Sequence, residues 1–238
     1  LVFDFGGGTL DFTIMQVGSP SGRKVLATGG IAVAGDAFDQ RLFRVTIPRH
    51  LGEGDYFTQE GKRYPIPSHI FDHLTNSQEI LALNTPQNLE MLRSIHLGSH
   101  HKKKTEALLK IISSNYALLL FDVVERAKCQ LSELDETELS VITQDFSFKE
   151  KILRSRFELA IRHEYEAIRQ ELLQTIERSG LRPQDIQRVI RTGGSSQIPL
   201  FAAMLDELFG KEKVRAIDVF SSVTSGLGIR AHEIAQGL

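Results

Sequence analysis

Short runs rich in Val, Ile and Phe alternate with turn residues at both ends of the chain, and apolar positions recur at helical spacing in between. Residues 1–4 and 11–17 read as two strands joined by Gly6-Gly7-Gly8-Thr9, which suits a tight hairpin. Residues 24–28 read as a third strand, followed by Gly29-Gly30 and a second small-residue stretch around Ala34-Gly35. Phe38, Leu42 and Val45 then recur with helical period. From 52 to 101, scattered Pro, Asn, Gly and His leave only short helical patterns at 77–82 and 88–95. Residues 103–134 predict one long amphipathic helix with Leu108, Ile112, Leu119, Val123, Ala127 and Leu131 on its stripe.

Short strands are expected at 138–143 and 146–149. Ser155-Arg156-Phe157-Glu158 has the form of a capping box, opening a helix that runs to Ser179 and stops at Gly180 and Pro183. A buried strand at 188–191 feeds Thr192-Gly193-Gly194-Ser195-Ser196, with Pro199 in the first turn of the next helix. A last strand at 213–217 and a helix at 222–235 complete the pattern, without a solenoid repeat. Strands at both ends with helices between them predict an α/β sheet domain interrupted by a second lobe.

The 238 residues suffice for one large or two small cores, and 41% hydrophobic with 24% charged residues is an ordinary globular balance. The net charge of -2 gives no electrostatic footprint for nucleic acid or an acidic membrane surface. The longest apolar run, Tyr116-Ala-Leu-Leu-Leu-Phe121, is far short of the roughly 20 residues that span a bilayer. The single cysteine, Cys129, excludes an internal disulfide, and a cytoplasmic location is expected. The opening Leu1-Val-Phe-Asp4 has neither a basic leader nor an initiating methionine and reads as the start of an excised piece.

Three stretches carry candidate chemistry. In Asp4-Phe5-Gly6-Gly7-Gly8-Thr9-Leu10-Asp11, consecutive glycines let backbone N–H groups approach an anion. There Asp4 would order water around Mg²⁺ and the Thr9 hydroxyl would meet a terminal phosphate oxygen. A plain glycine-rich turn is the competing reading. Gly193-Gly194-Ser195-Ser196 would seat a ribose or phosphate at a strand-to-helix junction, or serve only as an N-cap turn. Glu125, Lys128 and Ser132 fall at i, i+3 and i+7 on one helix face, able to act on one ligand or to form an exposed ion pair.

His69 and His73 stand at i, i+4 without an obvious carboxylate and read as surface histidines. His100-His101-Lys102-Lys103-Lys104 reads as a solvated basic face, with an acidic partner as the alternative. Lys128 would lower the pKa of Cys129, but the cysteine is expected to be inert packing.

Five stretches occur in the order and approximate spacing of the DnaK-type heat-shock chaperones. These are 1–11, Gly35-Asp36-Ala37-Phe38-Asp39, Val124-Glu-Arg-Ala-Lys-Cys-Gln-Leu-Ser132, Ser155-Arg-Phe-Glu158 and Thr192-Gly-Gly-Ser-Ser-Gln-Ile-Pro199. The chain resembles a divergent member of that family everywhere except about 51–101, which is longer than the family norm. The resemblance implies lobe II of an actin-like (ribonuclease H-like) ATPase fold: a mixed-sheet inner subdomain at 1–35 and 164–238, and an inserted α+β outer subdomain at 36–163. It further implies ATP or ADP with Mg²⁺, held at Gly6, Gly7, Gly8 and Thr9, with Asp4 acting on the metal through water. Gly35 would border the cleft, and Glu125, Lys128 and Ser132 would meet ribose and adenine opposite Gly193, Gly194 and Ser195.

The implied function is the nucleotide-binding half of a chaperone ATPase domain whose nucleotide state controls the binding of client proteins, with co-chaperones as further partners. Hydrolysis is expected only of the full-length protein, because the first phosphate loop and the catalytic lysine and glutamate of the family belong to lobe I. Two family arginines that stack on adenine are replaced by Cys129 and Gln197, a change expected to weaken binding by about one to two orders of magnitude. Phe220 also stands where an acidic residue is common. These departures keep a second reading open, an interaction module of the same superfamily that has lost tight nucleotide binding. A small-molecule kinase is disfavoured by the Glu125/Lys128/Ser132 helix.

Overall fold

The computed structural model describes residues 1–18, 22–114, 116–217 and 222–236, so that Phe220 lies outside the described residues. In chain order it contains β1 (Val2–Phe5), β2 (Leu10–Gln16), β3 (Lys24–Ile31), α1 (Gly35–Thr46), β4 (Tyr56–Gln59), β5 (Lys62–Pro65), α2 (Ser68–His73), α3 (Ser77–Leu83), α4 (Pro86–Gly98), α5 (Lys102–Ser113) and α6 (Ala117–Glu133). It continues with β6 (Glu136–Ile142), β7 (Ser147–Leu153), α7 (Arg154–Ala160), α8 (Arg162–Arg178), β8 (Val189–Thr192), α9 (Pro199–Phe209), β9 (Val214–Ala216) and α10 (Ser222–Ala235). The residues divide into two compact units, Leu1–Ala37 with Ile161–Leu238, and Phe38–Ala160.

Unit 1 is built on a five-stranded sheet of order β3-β2-β1-β8-β9. It is antiparallel from β3 to β1 and parallel from β1 to β9, a mixed sheet that agrees with the α/β class read from the sequence. Side chains alternate across a strand, so Phe3 and Phe5 of β1 and Leu10, Phe12 and Ile14 of β2 all turn to one face and are buried. Each contributes about 1.5–3 kcal/mol by leaving water. Phe201 of α9 meets Phe5 edge-on with centroids 4.9 Å apart, and Ile168, Leu172 and Ile176 of α8 are buried as well. Strand β3 runs through Gly29 and Gly30 to Ile31 rather than ending at 28. At Gly29 the α8 side chains of Thr175, Arg178 and Glu171 occupy the space a Cβ would need, so that only glycine lets this helix lie on the strand.

Unit 2 buries Phe38, Leu42 and Phe43 of α1 with Leu108, Ile111 and Ile112 of α5, Leu120, Val124 and Leu131 of α6, and Leu139, Val141 and Ile152 of the β6–β7 hairpin. The single helix expected over 103–134 is instead two, α5 and α6, whose axes differ by 107°. The break follows Ser113-Ser114, side chains that compete for backbone hydrogen bonds, and the turn lets the apolar stripes of both halves be buried. The helix expected from Ser155 is likewise interrupted, at Ile161, where the chain passes from one unit to the other. Helix α7 begins at Arg154, whose amide donates to Asp135 O at 2.8 Å, so Ser155 lies inside the first turn rather than at the cap.

The region that was least legible, 51–101, contains the β4–β5 hairpin and helices α2 to α4. His101 and Lys104 converge on Asp55, at 2.9 and 3.1 Å, and Lys102 Nζ donates to the terminal carbonyls of α4 at His96 and Leu97. The basic run from His100 to Lys103 is exposed, as read from the sequence, and it also ties to Asp55 and to the end of α4. His69 and His73 are both exposed, as read from the sequence, while His73 has a carboxylate partner that the spacing did not show, Glu79 at 2.7 Å. A buried Glu150 carboxylate in β7, 1% exposed, accepts from Arg49 Nε, His50 Nε2 and Arg156 Nη1 at 2.7, 2.7 and 2.6 Å. Among the described residues no single helix is long and apolar enough to cross a membrane.

Candidate functional site

Residues 6–9 form the four-residue loop between β1 and β2, closed by Gly6 N donating to Thr9 O at 3.1 Å. The antiparallel register places Asp4 directly opposite Asp11, and both are exposed on the face of the strands away from the phenylalanines. Like charges facing each other across a strand pair are destabilising, so the fold accepts a cost here that a cation would relieve. Part of the charge is met by Thr9 Oγ1, which donates to Asp11 Oδ2 at 3.0 Å. Asp11 stands beside the candidate loop, although the sequence reading did not select it; the signal was the register of a four-residue hairpin around two aspartates.

Neither Gly7 nor Gly8 has a positive φ. A Cβ at Gly7 would reach only ordinary contact with Asp36 Oδ1, at 3.5 Å, and one at Gly8 would meet nothing within 4 Å. The packing of the protein therefore does not demand glycine at these positions; what glycine leaves is bare, accessible backbone. The loop is nevertheless held firmly. Gly6 O accepts from Ser195 Oγ at 2.7 Å and from Gly35 N at 3.4 Å, and Gly7 O accepts from Asp36 N at 2.8 Å. Two amides of the first turn of α1 are thus satisfied by loop carbonyls.

The second loop interlocks with the first. Gly193 has φ 86° and ψ 150°, a region essentially reserved for glycine, and lies against the Phe5 carbonyl and Gly6 N. Ser196 Oγ donates to Gly193 O at 2.7 Å and Arg191 Nη1 to Ser196 O at 2.6 Å, fixing the turn that leads into α9. Gly194 is exposed with open space around it. Unit 1 thus gathers Asp4, Gly6, Gly7, Gly8, Thr9, Gly35, Gly193, Gly194 and Ser195 around two joined loops. An open depression of about 400 Å³ lies beside Thr9 and Asp11, walled by Thr28, Gly29, Gly30, Ile31 and Ala32.

Glu125, Lys128 and Ser132 lie on α6 of unit 2. Glu125 is exposed, while Lys128 Nζ is held by Asp39 Oδ2 of α1 at 2.6 Å. Ser132 Oγ turns back to Lys128 O at 3.4 Å. Cys129 is exposed rather than packed. Partial burial of its sulfur pushes the thiol pKa up; Lys128 opposes this, and the carboxylates of Glu125, Asp39 and Glu133 reinforce it. The thiol is therefore less ionised at neutral pH than an ordinary cysteine, first through partial burial and then through the surrounding carboxylates. Among the described residues no group of three or more His, Cys, Asp or Glu side chains is gathered for a metal ion. The pair Asp4 and Asp11 fits Mg²⁺, which is characteristically held by one or two carboxylates and completed by phosphate oxygens and water.

The profile of the Hsp70 protein family matches residues 95–237. The chaperone protein DnaK of Thermosipho melanesiensis is 26% identical over 241 residues, covering 99% of this chain and 32% of the relative. DnaK of Thermotoga maritima is 27% identical over 242 residues with the same coverage, and DnaK of Deinococcus proteolyticus is 25% identical over 239 residues, covering 97% of this chain and 30% of the relative. The chain spans about a third of the length of the curated relatives it matches. A profile match over more than half of the residues, together with end-to-end similarity to chaperones at low identity, establishes that this chain belongs to the Hsp70 family as a divergent member.

Proposed function

We propose that this chain is the ATP/ADP-binding lobe II of an actin-like chaperone ATPase domain, with Leu1–Ala37 and Ile161–Leu238 as its inner subdomain and Phe38–Ala160 as its outer one. The observation that carries the reading is the mouth of the β1–β2 loop, where Asp4 faces Asp11 beside glycines that neither φ nor packing requires. Gly7, Gly8 and Thr9 present backbone N–H groups and a hydroxyl to phosphate oxygens, Asp4 and Asp11 hold the hydrated cation, and Glu125, Lys128 and Ser132 donate to and accept from the nucleoside. Gly193 and Ser195 act by keeping the loop in shape. Bound Mg²⁺ neutralises charge on the phosphates. ATP hydrolysis, and its coupling to the binding of client proteins and co-chaperones, are proposed for the full-length protein alone. An exposed free Cys129 suits a reducing cytoplasm.

The test is calorimetric titration of Mg-ATP and Mg-ADP into the full-length protein and its Gly8→Val variant. The space around Gly8 leaves the fold intact, so loss of nucleotide affinity without loss of stability supports a phosphate-holding loop. Equal affinity in the two proteins overturns it. A second reading, an interaction module without tight nucleotide binding, is favoured by one observation: Cys129 and Gln197, at the places of the stacking arginines, are both exposed and bring no cation. Absence of binding by the folded wild type would establish that alternative.

A further inference from the structure

The β4–β5 hairpin of unit 2 lies outside the residues that the Hsp70 profile matches. Its two-residue turn, Glu60-Gly61, has positive φ at both positions, 50° and 75°, which suits the twist of the paired strands and holds the hairpin in one shape. Residues paired across the ladder share a face, so Tyr56, Thr58, Arg63 and Pro65 lie on one side and Phe57, Gln59, Lys62 and Tyr64 on the other. Phe57 is buried, which makes its side the inner one. The α4–α5 junction lies along β4. Phe57 pairs with Ser99 antiparallel, and a Cβ at Gly98 would collide with the Thr58 backbone. That register puts His100 beside Tyr56 on the outer side, with exposed Lys102 and Lys103 following.

The outer side carries a surplus of positive charge. The Arg63 guanidinium carbon sits 4.1 Å from the Tyr56 ring centroid, a stacking that fixes the side chain and leaves its N–H edge accessible. Among the described residues, Lys62, Arg63, Lys102 and Lys103 have no carboxylate within ion-pair distance. Asp55 is already held by His101 and Lys104, and Glu60 at the turn offsets only one of the four charges. Tyr56 and Tyr64, each 43% exposed, add amphipathic area, and tyrosine and arginine are the residues that most often anchor interfaces.

We propose that this side of the hairpin is a docking surface for an acidic segment of a partner protein, with a carboxylate in the fork of Arg63 and apolar side chains against the tyrosines. The proposal stands apart from the nucleotide reading. Pro65 lacks an N–H and closes the free edge of β5 to a long added strand, so recognition is through side chains. A nucleic-acid backbone is the poorer fit, because its affinity grows with the number of phosphates neutralised, whereas this surface is short and the chain carries a net charge of -2.

The experiment follows three probes by fluorescence anisotropy with the full-length protein: a short glutamate-rich peptide with a central phenylalanine, the same peptide with glutamine for glutamate, and single-stranded polyuridine RNA. The wild type is expected to bind the glutamate peptide about tenfold tighter than the glutamine peptide, with affinity falling as salt rises. Arg63→Glu weakens the glutamate peptide by about tenfold or more, and Arg63→Lys by about threefold because an ammonium cannot hold a carboxylate in a fork. Tyr56→Ala frees Arg63 from its stack and weakens binding to the same extent as Arg63→Lys, while Tyr56→Phe keeps the ring and the affinity. Lys149→Glu, on the exposed face of the β6–β7 hairpin, leaves binding unchanged. All these positions are exposed, and unchanged unfolding midpoints verify that each variant is folded. A folded wild type that does not bind the glutamate peptide, or binds both peptides alike, overturns the proposal, as does equal affinity in Arg63→Glu. RNA bound more tightly than the peptide, and lost in Arg63→Glu, also overturns it and gives the surface to nucleic acid.

Discussion

Replacing Gly193 by alanine tests how the two loops of unit 1 are joined. The residue has φ 86° and ψ 150°, and placing an L side chain there costs about 1–3 kcal/mol before any contact is considered. The added Cβ would also press on the Phe5 carbonyl, well inside contact distance, and stand 2.9 Å from Gly6 N. Both are backbone atoms at the end of a strand paired on either side, so neither yields by a rotamer change. Relief requires moving the strand end, and we expect a total of about 3–5 kcal/mol, the range of strained or overpacked sites. For a chain of this size each kcal/mol shifts Tm by about 2–4 °C, giving a fall of roughly 6–20 °C. Gly194→Ala is the control: its Cβ meets nothing within 4 Å and its φ is not positive, so a change within about 0.5 kcal/mol is expected. Urea and thermal unfolding of both variants, followed through the β-sheet signal, provide the comparison. If Gly193→Ala lies within about 1 kcal/mol of Gly194→Ala, the interlock does not constrain the loop and the argument fails.

Glu150→Gln removes the charge on which Arg49, His50 and Arg156 converge and leaves cations around a buried amide. Because the arginines are 52% and 36% exposed, the loss is below that of a fully buried ion pair, about 2 kcal/mol, read as a lower urea midpoint for unit 2. Cys129 has its pKa raised, so at neutral pH its thiolate fraction is smaller than that of a free thiol. Iodoacetamide labelling is therefore slower than for glutathione at neutral pH and rises to the ordinary rate only at higher pH. Lys128→Ala, by removing the one group that lowers this pKa, slows labelling further; faster labelling would contradict the assignment of charges.

Much of the fold was legible because local physics sets it. Alternating phenylalanines around Asp4 specify a strand with one buried face, Pro199 opens α9, and Gly180 follows the end of α8. The glycine loop was legible as a loop for the same reason, since three glycines in a row between strands favour a tight connection. What failed was continuity: periodicity carried on through Ser113-Ser114 and through Ile161, and only burial of separate apolar stripes, and the passage of the chain between units, decided that the helices break there. The chain alone likewise determined that Glu125, Lys128 and Ser132 share a helix face, because that follows from 3.6 residues per turn. It did not determine that Asp39 holds Lys128, that Asp11 faces Asp4, or that Ser195 latches Gly6. These pairings join groups through strand register and the packing of distant elements, and such contacts have no local signature because their energy appears only when the chain has closed on itself.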